Sequence, residues 1–271
     1  MTGIFILLFL IIAGIYFLRS AFADMLPFMK DEFNILFKNA RLSEQQKSYL
    51  QKYHPYYQKL SSTFKSDFER RTALFICGRK FTPKGNFVEV SELQKVLIGA
   101  AMVQLTFGLK PLYFPRFKHI MLYPGEYINP FTKKAHQGEA TNRGFMVLSW
   151  KHFLEGYAFP TDALNLGIHE MAHALRIEDR TSHDGEHQFI DPQHWRDWDK
   201  NAMPIFKAII EGKQVFLRKY ASENSEEFFA VCAEYFFEKP EEYKAQLPVL
   251  YNSMVKILNQ NPATGIFRCQ S

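Results

Sequence analysis

Cysteine is scarce in this chain, with only three among 271 residues. Cys77, Cys232 and Cys269 are an odd number, and none of them forms a C-x-x-C pair. Small domains held together by disulfides use even numbers of cysteines at short spacings, so we do not expect a disulfide framework. This cysteine usage instead agrees with a reducing compartment.

The chain also lacks any stretch dominated by one sign of charge. Its 33 basic and 28 acidic side chains are interspersed and give a formal net charge of +5. Without a basic stripe or a nucleic-acid-binding motif, we expect no DNA or RNA partner. Internal repeats and low-complexity segments are missing too. Hydrophobic residues make up 47% and aromatic residues 16% of the chain, which indicates a globular protein with a bulky interior.

One long apolar run is present, at the start of the chain. Residues 1–18 carry no charged side chain. A helix of about 20 apolar residues spans a bilayer, so we predict a membrane anchor over residues 1–24, followed by a single domain over residues 25–271. Basic residues such as Arg19 and Lys30 come only after the run, and the positive-inside rule therefore predicts that the domain is cytoplasmic.

A cleaved signal peptide is the alternative interpretation of the same segment. Ala21-Phe-Ala23 fits the pattern of small residues at which signal peptides are cut. However, no lysine or arginine precedes the apolar run, as it usually does in a signal peptide. We favour the anchor for that reason.

The most informative motif is His169-Glu170-Met-Ala-His173, inside an apolar segment from Asn165 to Ile177. On a helix of about 3.6 residues per turn, two histidines four positions apart project from one face, where both can bind one metal ion. Glu170 lies one position further round and can reach a water on that metal without being a ligand. The pattern is the H-E-x-x-H of zinc proteases. A core helix with two hydrogen-bonded histidines is the competing interpretation.

A second helix is predicted downstream, beginning at Asn224 or Ser225 and ended by Pro240. Glu227 and Glu234 are seven positions apart on it and share a face, so either could supply a third metal ligand. Each also has a structural interpretation. Glu227 could be a capping-box partner of Asn224, and Glu234 could form an ion pair. Spacing alone does not choose between them.

The rest of the pattern predicts a helical scaffold with few strands. Helices are expected in residues 25–71 with a break at Pro55, and in residues 61–78, 91–109, 203–220 and 241–259. Residues 117–123 and 144–149 are predicted as strands, and residues 129–143 and 178–198 as loops. An extended substrate is predicted to pair with residues 144–149 as an edge strand. Two ordinary strands without substrate contact are the alternative.

His183-Asp-Gly-Glu-His187 repeats the four-residue spacing of histidines within the second predicted loop. Asp184-Gly185 is a turn dipeptide, which makes a shared helical face for the two histidines unfavourable. We therefore expect no second metal site there.

Several of these stretches resemble the Mlc titration factor A (MtfA) family of zinc-dependent peptidases. The matching residues are Asn165 to Leu175, Glu227-Phe-Phe-Ala-Val231 with Glu234-Tyr-Phe-Phe-Glu238, Leu122-Tyr-Pro-Gly-Glu126 and Val147-Leu-Ser-Trp150. The similarity covers roughly residues 55 to 255. The second helix is also similar to that of anthrax lethal factor. There, the glutamate before Phe-Phe-Ala completes the zinc site, and a tyrosine seven residues earlier faces the reacting carbonyl. Those positions in this chain are Glu227 and Tyr220.

The resemblance implies an α+β, mainly helical, zincin-like fold of the gluzincin type with a small β-sheet. It implies one Zn²⁺ per chain, with His169, His173 and Glu227 as ligands, Glu170 as general base and Tyr220 as donor to the oxyanion. The expected function is hydrolysis of peptide bonds in a peptide or protein substrate, with the aminopeptidase-like activity described for the family. A regulatory protein partner is the alternative, since the family's namesake sequesters a transcriptional repressor called Mlc, and the zinc site would then be structural or vestigial.

Overall fold

A computed structural model describes residues 40–111, 114–129, 132–181, 190–213 and 216–268. The predicted segment 1–24, the stretch from His183 to His187 and Cys269 lie outside these ranges. From Arg41 onward the chain forms one compact unit. The division of the chain at residue 24 stays a prediction.

The prediction of a membrane-anchored protein is corrected by the structure. Among the residues it describes, no helix has both the length and the apolar character that crossing a bilayer requires. The membrane localisation and the membrane contact predicted from the sequence are therefore wrong for this part of the chain. The uncharged run on which they rested lies outside it.

A four-stranded sheet lies beside the histidine-bearing helix in the described part of the chain. Its strands are β1 (Lys80–Pro83), β2 (His119–Tyr123), β5 (Gly138–Ala140) and β6 (Phe145–Ser149), in the spatial order β1-β2-β6-β5. The first three strands in that order are parallel, and β5 runs antiparallel to β6. Strands β3 (Tyr127–Ile128) and β4 (Ala135–His136) pair as a separate antiparallel hairpin.

The two predicted strands are confirmed, but the predicted edge strand is wrong. β6 is paired on both sides, since Met146 lies opposite Ile120 of β2 and Ala140 of β5. The two edges of the sheet are β1 and β5, and β5 falls within the predicted loop at residues 129–143. This strand has three residues and begins with a glycine, so it is too short to show the alternation that identifies strands in a sequence.

Helices make up more than half of the described residues. Their bounds are α1 Glu44–Tyr53, α2 Pro55–Gln58, α3 Ser62–Cys77, α4 Glu92–Thr106, α5 Trp150–Ala158, α6 Leu166–Thr181, α7 Pro192–Ile210, α8 Ser225–Glu238, α9 Pro240–Gln246 and α10 Pro248–Leu258, with 3-10 turns at Lys219–Ser222 and Pro262–Thr264. Ser61, Ser91 and Asn224 cap α3, α4 and α8 through their side chains, and the cap at Asn224 agrees with the predicted start of that helix.

The predicted loop at residues 178–198 and the predicted helix at 203–220 have the wrong bounds. Helix α6 continues to Thr181, and α7 begins at Pro192 and ends at Ile210. The start of α7 follows from local chemistry, because Asp191 caps the helix and proline occupies its first turn. Because this stretch is rich in polar residues, the sequence pattern predicted a loop where α7 begins.

The core is built around α6 and α8. Ile168, Met171 and Leu175 of α6 are fully buried, and so are Phe229 and Phe236 of α8. Helix α6 packs against α8, α4 and the edge strand β5. Since apolar contacts occupy most of its circumference, only the face with the two histidines is left to border a cleft. The observed architecture is α+β and mainly helical, as predicted.

Candidate metal centre

Helix α6 presents His169 and His173 one turn apart. Their Nε2 atoms are 3.1 Å apart, and the two rings meet edge-on with centroids separated by 4.8 Å. Ile168 and Ala172, the residues that precede each histidine, are fully buried. That burial fixes the rotation of the helix about its axis, so both Nε2 atoms face the same point.

Glu227 approaches that point from the first turn of α8. The side chain of Asn224 accepts hydrogen bonds from the backbone N–H groups of Glu226 and Glu227, and these bonds fix where the helix begins. The carboxylate of Glu227 then lies 2.9 Å from Nε2 of His169 and 3.4 Å from Nε2 of His173. These three residues offer ligand atoms that all lie within 4.8 Å of one another and could hold a metal ion. The carboxylate contacts the histidines and does not complete a capping box.

Glu234 lies on the other side of the His169 ring. Its Oε2 atom is 3.2 Å from Nδ1 of His169, and its Oε1 atom accepts a hydrogen bond of 2.9 Å from the backbone N–H group of Asn165. Arg218 donates a further hydrogen bond to Oε2, so the ion-pair interpretation of Glu234 holds. A carboxylate at Nδ1 orients a histidine whose Nε2 atom faces a metal. Glu234 is therefore placed to position His169.

The charges around His169 favour its protonated form. Burial alone would lower its pKa, but the charge of Glu234 and the hydrogen bonds to Glu227 and Glu234 raise that pKa to about 10. Burial alone would raise the pKa of Glu227, but hydrogen bonds from His169 and His173 hold it well below its usual range. Without a metal ion, His169 thus keeps a proton on each ring nitrogen, and a metal at Nε2 has to displace one.

Glu170 is almost fully buried where the edge strand β5 passes α6, and its Oε2 atom has no hydrogen-bond partner in the described part of the chain. Burial raises the pKa of this carboxyl group, against the lowering effect of the charges on His169 and His173. Gly138 of β5 provides the necessary room, since a Cβ there would lie only 2.5 Å from Oε1 of Glu170. A buried carboxylate with one oxygen left unpaired by the described residues, beside three convergent metal-binding groups, is typical of a catalytic base.

These groups open into a cleft of about 570 Å³. Strand β5 and His136 form one wall, while the 3-10 turn at Lys219–Ser222 and the start of α8 form the other. Tyr220 stands on the second wall, 43% exposed, with its ring centroid 6.0 Å from that of His169. Burial is the largest cause that raises the pKa of its hydroxyl group, which therefore stays protonated and able to donate at neutral pH.

The structure places all five predicted site residues in this one cleft: His169, Glu170, His173, Tyr220 and Glu227. Sequence analysis missed Gly138 and the positioning role of Glu234. Seven residues of helix span about 10 Å, so Glu227 and Glu234 cannot bind one atom together, although they can flank one imidazole ring. That relation, based on helix rise, was available in the sequence. The contact of Gly138 was not, because it depends on a strand from another part of the chain.

Comparison with known proteins gives a consistent result. The chain matches the family model described as "Glucose-regulated metallo-peptidase M90" over residues 29–258, which include β5, α6 and α8. Mlc titration factor A of Pectobacterium atrosepticum is 26% identical over 219 residues, covering 72% of this chain and 80% of that protein. Mlc titration factor A of Edwardsiella ictaluri is 25% identical over 228 residues, covering 74% and 84%.

These matches confirm the resemblance to the Mlc titration factor A family and agree with the predicted zincin-like fold class. Membership of a metallopeptidase family implies a metal ion, and the three convergent side chains described above could hold one. The chain therefore belongs to the M90 family of glucose-regulated metallo-peptidases.

Proposed function

We propose that this protein is a zinc-dependent peptidase in which His169, His173 and Glu227 hold one Zn²⁺ ion. Two imidazole nitrogens and one carboxylate suit a catalytic zinc, which keeps a fourth position open. Tetrahedral zinc with bonds of about 2.0–2.1 Å places neighbouring donor atoms about 3.3 Å apart. The closest donor distances here are 2.9, 3.1 and 3.4 Å, so little rearrangement would be needed.

Glu170 is the proposed general base. A bound zinc ion would acidify a water molecule and polarise the scissile carbonyl group. Glu170 would take the proton from the attacking water and pass it to the leaving amine. Two observations support this role: its Oε2 atom has no partner among the described residues, and burial raises its pKa, which strengthens it as a base.

Tyr220 is the proposed donor to the oxyanion that develops on the substrate carbonyl. It stands on the wall opposite β5, and its hydroxyl group keeps its proton at neutral pH. An extended peptide would add to the outer edge of β5 through main-chain hydrogen bonds. Since Gly138 touches Glu170, such a peptide would pass close to the base. The aminopeptidase-like activity implied by the family stays a prediction.

The convergence of His169, His173 and Glu227 beside Glu170, whose Oε2 atom has no partner among the described residues, is the observation that carries this proposal. Glu170→Gln in the full chain tests it. We expect this variant to keep about one zinc per chain by metal analysis and to lose peptide hydrolysis by on the order of 10² to 10⁴. Glu155→Gln, the same change at an exposed position on α5, serves as the matched control and should behave as wild type.

If Glu170→Gln hydrolysed peptides at the wild-type rate, another group would be the base. A wild-type protein that binds no zinc and cleaves no peptide would remove the proposed function altogether.

The names of the relatives favour a second candidate function, the binding of a regulatory protein partner. Such a binding protein has no need of a buried carboxylate beside the metal. Under this alternative, purified wild-type protein and Glu170→Gln would bind a transcriptional repressor equally well, and neither would hydrolyse peptides. Repressor binding and peptide hydrolysis, measured on the same two proteins, separate the two functions.

A further inference from the structure

Glu139, the middle residue of the edge strand β5, lines the cleft. Two neutral groups hold its carboxylate: the Tyr127 hydroxyl donates to Oε2 at 3.2 Å, and the Asn129 side-chain amide donates to the same atom at 2.7 Å. In the part of the chain that the structure describes, Oε1 accepts no hydrogen bond and no basic side chain pairs with Glu139. The carboxylate is thus fixed in position by donors that leave its charge uncompensated.

The cleft around Glu139 is acidic. The described residues that line it include five glutamates: Glu139, Glu170, Glu223, Glu226 and Glu227. Arg180 is the only lysine or arginine among those lining residues, and it is engaged by Glu226 at 2.6 Å. A bound divalent ion would offset two of the negative charges. The remaining excess of negative charge favours the binding of a positively charged group in the cleft.

The position of Glu139 along β5 brings its carboxylate close to the proposed site of reaction. Gly138, the residue before it, packs directly against Glu170. Neighbouring residues of a strand are about 3.4 Å apart and point to opposite faces. Glu139 is therefore adjacent to the residue that contacts the base, and its side chain faces the β3–β4 hairpin. The side chains of a substrate strand added to β5 would point to alternate faces in the same way. A substrate group on the face of the hairpin would contact Glu139.

We propose that Glu139 is a specificity-determining residue that binds a cationic group of the substrate next to the cleaved bond. This inference rests on the peptidase function proposed above. An α-ammonium group at a peptide N-terminus and the side chain of lysine share the required chemistry. Either would give Oε1 a charge-assisted hydrogen bond, which is stronger than a bond between neutral groups. It would also compensate a charge that the described residues leave unpaired.

The test uses three peptides that are cleaved at the same position and differ only in the cationic group beside the cleaved bond. One has a free N-terminus, the second is N-acetylated, and the third is N-acetylated with lysine replacing the neutral residue nearest that bond. For the zinc-loaded full chain, kcat/KM should be at least about tenfold higher for one cationic peptide than for the neutral one, the scale of a hydrogen bond to a charged group. Glu139→Gln should reduce this preference to less than about threefold and leave the neutral peptide unaffected. The cationic peptide whose preference is lost in Glu139→Gln shows whether Glu139 binds the α-ammonium group or the lysine side chain.

Binding provides a second measurement that does not depend on turnover. In a Glu170→Gln background, Glu139→Gln should raise the Kd of the preferred cationic peptide about tenfold without changing that of the neutral peptide. Glu223→Gln is the matched control, because it removes the same charge from an exposed residue on the opposite wall. It should change the preference much less.

Four outcomes would overturn the inference, and a fifth would reject the peptidase function. An equal loss on all three peptides, or a loss of zinc from Glu139→Gln, would show that Glu139 is structural. An equal effect of Glu223→Gln would show that only the overall charge of the cleft matters. A wild type that cleaves all three peptides equally well would reject the role of Glu139 while the peptidase function stands, whereas cleavage of none would reject that function.

Discussion

Replacing Gly138 by alanine tests whether the edge strand holds Glu170 in its working position. A Cβ at residue 138 would lie 2.5 Å from Oε1 and 2.7 Å from Cγ of Glu170, whereas ordinary contacts begin at 3.4 Å. The carboxylate would have to move by about 0.9 Å, the difference between 3.4 and 2.5 Å, to restore such a contact. A displacement of about 1 Å costs on the order of a hundredfold in rate. We expect Gly138→Ala to lower kcat by that factor.

The fold should tolerate this change. The backbone of Gly138 is not in the left-handed region, so alanine can adopt it without strain. Alanine also loses less backbone entropy than glycine when a strand forms, a gain of up to about 1 kcal/mol that offsets the cost of crowding the Glu170 side chain. The atoms that must yield belong to the side chain of Glu170, whose displacement affects catalysis more than stability.

Three measurements on the full chain check the prediction: kcat with a saturating fluorogenic peptide, zinc content, and thermal unfolding. Gly125→Ala is the matched control, since a Cβ there meets no atom within 4 Å and its φ is not positive. Both variants should bind zinc and unfold as the wild type does, and only Gly138→Ala should lose turnover. If the two variants have equal kcat values, the edge strand does not hold the base and the reasoning is refuted.

Three further predictions concern the metal ligands and the oxyanion donor. Glu227→Ala should weaken zinc affinity by at least about tenfold in competition with a chelator, and a larger loss from Glu234→Ala would contradict the ligand assignment. Tyr220→Phe should bind zinc normally and lose on the order of a hundredfold in kcat, and an unchanged kcat would exclude it as the oxyanion donor. Zinc affinity should also depend on pH through His169, whose pKa of about 10 favours a proton at Nε2 throughout the neutral range. Because zinc displaces that proton, affinity should rise about tenfold per unit from about pH 6 to pH 8, and a Kd that does not change with pH would show that no proton is displaced.

The placement of the two histidines on one face of a buried helix could be predicted from the sequence, because the periodicity of a helix is a local property. His169 and His173 are one turn apart on any regular helix, and the apolar residues between them indicate which face is buried. The starts of α3, α4 and α8 were equally accessible. Each depends on a cap by Ser61, Ser91 or Asn224 that acts within three residues.

Relations between distant segments were decided only by the tertiary structure. The seven-residue spacing of Glu227 and Glu234 left both as candidate ligands until α8 packed against α6 and put one carboxylate at Nε2 and the other at Nδ1 of His169. The edge strand β5 was predicted as a loop, because three residues carry no usable pattern and their conformation depends on hydrogen bonds to β6. Gly138 owes its importance to Glu170, 32 positions later in the chain, and a contact of that kind exists only once strand and helix have packed together.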